Sequence, residues 1–414
     1  MTQLSRSKNR LSDPAKRTRR RVPYEPALDF AIASGGPAFM SRFDAHSFGG
    51  FILRLWLTAT ALFLPAFTPM PGNANAATAT ITTVSDPIPV LAYYYIWFDA
   101  RSWERAKTDY PVLGRYSSSN IEVMRQHVKL AKAAGIKGFI VSWKSTDRLN
   151  ERLEQLIQVA EEEDFKLAII YQGLDFYREP LPIEQVDADL SYFIDHFAER
   201  QPFSLYEKPV VIWSGTWKFS RQEVESVLLG KRDHLLILAS ERNLDGYARL
   251  DGLVDGNAYY WSSVNPDTFP GYQEKLTEMG KAIHANGGLW IAPAAPGFDA
   301  RLIGGTTVVD RKDGETLQIQ FNTAMQSSPD AIGIISWNEF SENSHIEPSE
   351  NYGDRYLKVL ADIRNVPAPV IRDFDSSEPG DTVNGMGSSR MIALGSVALL
   401  TAVCLVILVR RIVR

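Results

Sequence analysis

The stretch Ala331–Trp337 reads Ala-Ile-Gly-Ile-Ile-Ser-Trp, and it is directly followed by Asn338–Pro348, which reads Asn-Glu-Phe-Ser-Glu-Asn-Ser-His-Ile-Glu-Pro. The first part is a short apolar run of the kind that forms a buried strand. The second part presents two carboxylates three residues apart, Glu339 and Glu342, among amides, hydroxyls and an imidazole, and a third carboxylate, Glu347, near its end. Charged groups at the end of a buried strand are costly unless they are paired or take part in chemistry. The junction therefore predicts a strand that ends in a reaction centre.

Seven similar apolar runs precede this strand, and helical patterns separate most of them. Strands are predicted at 89–95, 138–142, 166–171, 209–213, 234–239, 252–260, 289–292 and 331–336. Helices are predicted at 121–134, 149–162, 186–199, 222–229, 272–286, 317–326 and 353–364. Short apolar strands that alternate with helices indicate a sheet covered on both faces. The pattern predicts an α/β protein with a (β/α)8 TIM barrel. A doubly wound open sheet is the weaker alternative, because no Gly-x-Gly-x-x-Gly turn follows the first strand.

Polar and aromatic side chains follow the predicted strands, where a barrel of this type places its reactive groups. Aromatic rings stack on the apolar faces of sugars, while amide and carboxylate groups bind sugar hydroxyls. We therefore predict that Glu339 and Glu342 are catalytic. The residues predicted to bind substrate are Tyr94, Trp143, Tyr171, Asn257, Tyr260, Trp261, Asp299, Asn338 and His345. Successive strand side chains face opposite sides, so some residues in 93–95 and 259–261 must point away from the site.

Paired carboxyl groups favour glycoside hydrolysis, in which one protonates the leaving oxygen and the other acts across the reacting carbon. Metal binding by Glu339, Glu342, His345 and Glu347 is a weaker alternative, since the spacing is not His-Glu-x-x-His. No cofactor is expected. A non-hydrolytic barrel stays open as a second class of function, either a carbohydrate-binding scaffold or a transferase in surface-polysaccharide assembly.

The two ends of the chain predict export and anchoring in the cell membrane. Residues 55–76 combine an apolar run with a small-residue cleavage pattern, which is typical of a signal peptide. Residues 391–409 carry no charge and precede three arginines, which predicts a single transmembrane helix with a cytoplasmic end. The predicted parts are a basic disordered leader at 1–54, the signal peptide at 55–76, an extracellular catalytic barrel at 86–364, a flexible stalk at 365–390, the membrane helix at 391–409 and a basic tail at 410–414. The net charge of −5 argues against a nucleic-acid partner for the whole chain.

The polar stretch resembles a motif of glycoside hydrolase family 99, the endo-α-mannosidases and related bacterial polysaccharide-processing proteins. That motif is Asn-Glu-aromatic-x-Glu-x-x-x-Ile-Glu-Pro, and Asn338–Pro348 matches it. Weaker similarities lie at 113–118, 138–143 and 296–299, so that the resemblance covers roughly 88–360. The resemblance implies an endo-acting glycosidase that cleaves an α-linked glycan or polysaccharide with retention, with α-mannosides among the expected substrates.

The resemblance also implies a division of roles between the two acids. The residue matching Glu339 would deprotonate the sugar 2-hydroxyl, which then attacks its own anomeric carbon. The residue matching Glu342 would act first as an acid and then as a base. The chain departs from the family pattern at Phe340-Ser341, where Trp-His is usual, and after Tyr171, where a His is missing. Both places bear on which sugar and linkage would be recognised.

Overall fold

The structure is a computed structural model that describes residues 88–370. Its strands are β1 (Val90–Tyr95), β2 (Gly138–Trp143), β3 (Lys166–Gln172), β4 (Val210–Ser214), β5 (Leu236–Ala239), β6 (Gly256–Ala258), β7 (Leu289–Ala294), β8 (Phe298–Asp299), β9 (Val308–Val309) and β10 (Ala331–Ile334). All strands except β8 and β9 close into a barrel in the order β1–β2–β3–β4–β5–β6–β7–β10, with β10 beside β1. Every pairing in the barrel is parallel. The predicted (β/α)8 barrel is therefore confirmed.

Helices surround the barrel and cover its outer face. They are α1 (Ile121–Ala133), α2 (Asp147–Glu162), α3 (Ile183–His196), α4 (Arg221–Leu228), α5 (Leu244–Arg249), α6 (Tyr272–Ala285), α7 (Glu315–Gln326) and α8 (Arg355–Arg364). Local signals start several of them. The Asn120 side chain accepts from the first backbone N–H groups of α1, and Ser220 forms a reciprocal capping box with Glu223 at the start of α4.

Two elements were not predicted from the sequence. Helix α5 has six residues and contains Gly246, so it is too short to show a helical period. Strands β8 and β9 form a small antiparallel hairpin in the connection after β7. The predicted sixth strand, 252–260, shortens to β6. The hairpin matters for the site because it packs against the loop that follows β10.

The core has two apolar layers, one inside the barrel and one between the barrel and the helices. Inward residues include Leu91, Tyr93, Ile140, Ile170, Ile212, Leu238 and Ile291. Gly333 on β10 makes room for the Tyr93 ring, since a Cβ there would lie 2.9 Å from it. Both layers consist of buried apolar side chains. The buried polar groups of the site lie instead at the C-terminal ends of the strands.

The predicted leader, signal peptide, membrane helix and basic tail lie outside the described residues, as does most of the stalk. Within residues 88–370, no helix has both the length and the apolar character needed to cross a membrane.

Candidate active site

The loop after β10 folds back onto the end of its own strand. The Ser336 N–H donates to the Ser344 carbonyl (2.8 Å), and the Glu347 N–H donates to the Trp337 carbonyl (2.8 Å). These bonds close the segment 338–343 into a compact loop at the C-terminal mouth of the barrel. The loop carries both predicted catalytic acids.

Both acids are buried, and local bonds fix their positions. Glu339 is 1% exposed and Glu342 is fully buried. The Glu339 N–H donates to Ser336 Oγ (2.8 Å), and its carboxylate accepts from the Ser341 N–H (3.0 Å). The carbonyl of Glu342 accepts from the Asp299 N–H at 2.7 Å, which ties the loop to β8. The Glu339 carboxylate and the main chain of Glu342 therefore have fixed positions before any ligand binds.

A pair of tyrosines shows that the two acids share one site. The hydroxyls of Tyr95 and Tyr260 are 2.6 Å apart. Burial raises the pKa of Tyr95 well above its ordinary value, and the negative charges of Glu339 and Glu342 raise it further. Burial raises the pKa of Tyr260 in the same way, with added contributions from Tyr95 and from both acids. Both carboxylates therefore lie within electrostatic reach of the same hydroxyl pair.

Asn338 anchors the loop to the first strand. Its Oδ1 accepts from the Tyr95 N–H (2.9 Å), and its Nδ2 donates to the Tyr95 carbonyl (3.0 Å) and to the Tyr116 hydroxyl (3.3 Å). Asn257 bonds the main chain of Glu241 in a similar way. Its Oδ1 accepts from the Glu241 N–H (2.8 Å), and its Nδ2 donates to the Glu241 carbonyl (3.2 Å). Both asparagines were predicted to bind substrate, but the structure uses their amides to join neighbouring strand ends.

A buried hydrogen-bond chain holds the exit of the same loop. The Glu347 carboxylate accepts from the Tyr116 hydroxyl (2.8 Å) and bonds His127 Nε2 (3.0 Å). His127 Nδ1 lies 2.9 Å from the Tyr94 hydroxyl. Because a carboxylate only accepts, His127 donates through Nε2, and in the neutral imidazole Nδ1 then accepts from Tyr94. The chain connects α1 and the outer face of β1 to the loop that carries the acids.

Three of the predicted substrate-binding aromatics lie on the outer face of the barrel. Tyr94 stacks on Phe139 with ring centroids 4.4 Å apart. The Trp143 indole donates to Asn150 on α2 (2.9 Å), and the Tyr171 hydroxyl donates to Asp189 on α3 (3.0 Å). These three rings, predicted to contact substrate, are buried between the strands and the helices and not at the mouth of the barrel.

His345 and Asp299 support the loop from the side. His345 is buried, stacks on Phe340 (4.1 Å between ring centroids) and bonds Asp109 through Nε2 (3.2 Å). Burial lowers the pKa of His345 to about 4, although the bond to Asp109 acts in the opposite direction. The Asp299 carboxylate bonds Arg301, which holds the pKa of Asp299 below its ordinary value. These side chains are engaged by the protein, contrary to their prediction as substrate contacts.

The geometry does not support the alternative hypothesis of a metal site formed by Glu339, Glu342, His345 and Glu347. Glu347 is turned toward His127 and Tyr116, and His345 is turned toward Asp109. In the part of the chain that the structure describes, no three His, Cys, Asp or Glu side chains are grouped to hold a metal ion.

A cavity of about 650 Å³ opens at the C-terminal ends of β3 to β6, at the same end of the barrel as the acids, although neither Glu339 nor Glu342 lines it. Tyr260 and Trp261, which were predicted to bind substrate, line it, and the Tyr260 hydroxyl joins it to Tyr95. Residues of the wall that were not predicted as site residues include Arg178, Arg242, Phe269 and Lys275. Arg242 lies three residues after the end of β5, so a search of the residues that follow each strand could have found it. Lys275 lies on α6, and no local signal marks it.

The fold and the site define a (β/α)8 barrel protein with two buried carboxylates at its C-terminal mouth. The sequence profile of glycosyl hydrolase family 99 matches residues 96–358, which include the loop after β10 and the cavity wall. The chain therefore belongs to glycosyl hydrolase family 99.

Known proteins with similar sequences carry consistent names. The chain is 22% identical over 262 residues to the glycoprotein endo-alpha-1,2-mannosidase of Rattus norvegicus, covering 58% of this chain and 56% of that protein. It is 23% identical over 267 residues to the protein of the same name from Mus musculus, with the same shares covered. The chain thus spans about half the length of the curated relatives that it matches.

Solved structures resemble the barrel itself. The GH99 endo-alpha-mannosidase from Bacteroides thetaiotaomicron superposes with a TM-score of 0.59 at 18% identity, covering 67% of this chain and 97% of that chain. A structure described as a glycoside hydrolase-like protein superposes with a TM-score of 0.55 at 18% identity, covering 67% and 94%. At these identities the likeness shows the fold.

Proposed function

We propose that this protein is an endo-acting glycosidase that hydrolyses α-linked, mannose-containing glycans with retention of configuration. The observation that carries the proposal is the burial of Glu339 and Glu342 in one loop, within electrostatic reach of the Tyr95–Tyr260 pair, of which Tyr260 lines an aromatic cavity. Membership of glycosyl hydrolase family 99 and the names of the relatives support this choice of reaction and sugar.

In the proposed mechanism Glu339 acts on the sugar and Glu342 acts on the leaving group. Glu339 takes the proton of the 2-hydroxyl, and O2 attacks C1 to form a 1,2-anhydro sugar. Glu342 protonates the glycosidic oxygen as its bond to C1 breaks. Glu342 then takes a proton from water, whose oxygen attacks C1, and Glu339 returns its proton to O2. Two inversions at C1 give net retention, and the sum of the steps is hydrolysis.

The experiment that tests the proposal compares two variants on two kinds of α-mannoside. Loss of general acid catalysis typically costs ~10²–10⁴-fold in rate. Glu342→Gln should therefore lose most activity on an oligosaccharide and recover part of it on an activated aryl glycoside, whose leaving group needs little protonation. Glu339→Gln should be damaged on both. The anomer released first, followed by NMR, should match that of the substrate, and reducing-end-blocked oligosaccharides should be cut internally.

Two outcomes would contradict the assigned roles. Normal turnover of a substrate methylated at O2 would exclude attack by the 2-hydroxyl. Rescue of Glu339→Gln by azide, with a glycosyl azide of inverted configuration as product, would make Glu339 a conventional nucleophile. Tight binding of oligosaccharides by the unmodified protein without any turnover would instead support the carbohydrate-binding alternative.

The cellular location is a separate part of the proposal. We infer from the uncharged segment at 391–409, the three arginines after it and the signal-like segment at 55–76 that the barrel is anchored outside the cytoplasm. Protease added to intact cells or protoplasts should then release a folded barrel fragment. A barrel that is protected in intact protoplasts and cut only after lysis would show that the topology is wrong.

A further inference from the structure

The cavity at the ends of β3 to β6 has a strongly positive wall. Three cationic side chains, Arg178, Arg242 and Lys275, line it, and each is partly buried. Among the residues that the structure describes, no Asp or Glu lines this cavity. Three cations around one concave surface concentrate positive potential there, because the surrounding protein screens charge poorly.

Two of the cations are held over aromatic rings. The Arg242 guanidinium lies 3.9 Å from the centre of the Trp217 ring. The Lys275 ammonium lies 4.7 Å from the centre of the Trp261 ring and 4.9 Å from that of Tyr259. Within residues 88–370, neither cation forms an ion pair or a side-chain hydrogen bond, so their N–H donors are available to a ligand.

The carboxylates close to these cations lie outside the cavity. Glu241, which precedes Arg242, is paired with Arg249 on α5 at 3.0 Å. Asp245, Glu274 and Glu278 line a separate depression, which Lys275 also borders. The rings under the Lys275 ammonium, those of Tyr259 and Trp261, belong to the cavity wall, which places the ammonium on the cavity side.

The cations also interact with one another and with the proposed catalytic acid. Burial lowers the pKa of Lys275, and the positive charge of Arg242 lowers it further. Burial and Arg242 lower the pKa of Arg178 in the same way, whereas the negative charge of Glu342 raises it. A cluster of like charges costs free energy unless an anion offsets it. Through Arg178, the cluster lies within electrostatic reach of Glu342.

We propose that the cavity binds an acidic sugar residue of the glycan, whose carboxylate, sulfate or phosphate group contacts Lys275 and Arg242. The inference rests on the proposed function, because it places the acidic residue next to the bond that Glu339 and Glu342 would cleave. The rings of Trp217, Tyr260 and Phe269 supply apolar surface for the sugar. The substrate class is then an anionic, mannose-containing polysaccharide and not a neutral mannan.

A binding measurement tests this without requiring turnover. The full chain carrying Glu342→Gln is titrated by calorimetry with matched mannose oligosaccharides that are neutral, contain one uronic acid, or carry one sulfate or phosphate ester. A hydrogen bond to a charged group contributes about 1.5–3 kcal/mol, so at least one acidic series should bind about tenfold to a hundredfold more tightly than the neutral series. The preference should weaken as salt is raised. The oligosaccharide series that binds most tightly identifies the oxyanion.

Lys275→Met in the same background should remove most of the preference, so that the acidic and neutral series bind with similar affinity. Lys281→Met is the matched control, because Lys281 is exposed on the same helix and does not line the cavity. Arg242→Met serves as a second variant if Lys275→Met does not fold. Equal affinity for neutral and acidic oligosaccharides, or an equal loss for both in each cavity variant, would overturn the inference.

The two proposals fail in different ways. Selective binding of acidic oligosaccharides by a protein that hydrolyses none of them would support the anion site and contradict the proposed glycosidase activity. Efficient hydrolysis of neutral α-mannan, with no gain in kcat/KM for acidic chains, would leave the glycosidase standing and remove the anion site.

Discussion

Tyr94 and Tyr95 are adjacent in β1 and face opposite sides of the barrel wall. Tyr94 packs among the helices, whereas Tyr95 meets Tyr260 at the mouth of the barrel. Two other strands show the same arrangement. Trp143 and Tyr171 pack against the helices, whereas their neighbours Ser142 and Gln172 face the site side and bond each other. A strand buried on both faces shows no alternation of polar and apolar residues, so its sequence does not reveal which side chains point inward.

Trp143 and Trp261 form a matched pair for testing this distinction. Trp261→Ala should raise KM or lower kcat/KM on mannose oligosaccharides with little change in melting temperature, because Trp261 lines the cavity. Trp143→Ala removes a fully buried ring and should cost about 3–5 kcal/mol of stability. Its activity per folded molecule should stay normal. If Trp261→Ala melts as early as Trp143→Ala and keeps normal residual activity, Trp261 is a core residue.

The loop after β10 is an element whose shape depends on buried polar contacts. Asn338 binds the main chain of Tyr95 at its start, and Glu347 binds His127 and Tyr116 at its end. Tyr116 touches both anchors, since its hydroxyl donates to Glu347 and accepts from Asn338. The positions of the two acids between these anchors therefore depend on groups that touch no substrate.

Tyr116→Phe removes the hydroxyl that joins the two anchors while keeping the ring. We expect a loss of about 1–3 kcal/mol in the free energy of unfolding, because buried polar partners lose a hydrogen bond. We also expect kcat to fall while KM changes little, because the two acids lose their fixed positions while the cavity keeps its lining. Denaturant titrations and steady-state kinetics measure the two effects. Tyr192→Phe on α3 is the control, and a kcat equal in both variants would contradict the positioning role.

His345 should make the stability of the barrel depend on pH. Its pKa is about 4 in the folded protein and 6.5 for the ordinary imidazole. Between these values the unfolded chain binds a proton that the native protein does not, so stability falls as the pH drops from about 6.5 to 4. The difference corresponds to about 3 kcal/mol at the acid end. Melting temperatures of His345→Gln should show a flatter profile than the parent, whereas His234→Gln, at an exposed position, should follow the parent.

At the level of the whole molecule, the barrel closes by joining its first and last strands. Val90 pairs with Ile332 and Ala92 with Ile334, so that β1 and β10 lie side by side. This closure brings Tyr95 next to the loop that carries Glu339, although more than half of the chain separates them in sequence. The site is therefore complete only in the closed barrel.

Truncation tests the dependence on closure. A chain that ends at Asp330 lacks β10 and α8 and leaves the edges of β1 and β7 unpaired, so it should not fold cooperatively. A chain that spans 86–370 keeps all eight barrel strands and should unfold in one transition with the slope of the longer protein. Far-UV circular dichroism with urea titration distinguishes them. A native-like transition in the chain ending at Asp330 would show that closure is not required.

The order of elements and the two acids could be read from local patterns. Apolar runs mark the eight strands, and a strand end followed at once by Glu339 and Glu342 marks the candidate site, because period and burial are properties of short segments. The lining of the cavity could not be read in this way. Arg178, Arg242 and Lys275 come from two loops and a helix, and only the closed barrel places their charges around one space. The engagement of Asn338 by a strand from the other end of the domain was also decided by the tertiary structure, because a hydrogen-bond partner so distant in sequence leaves no local pattern.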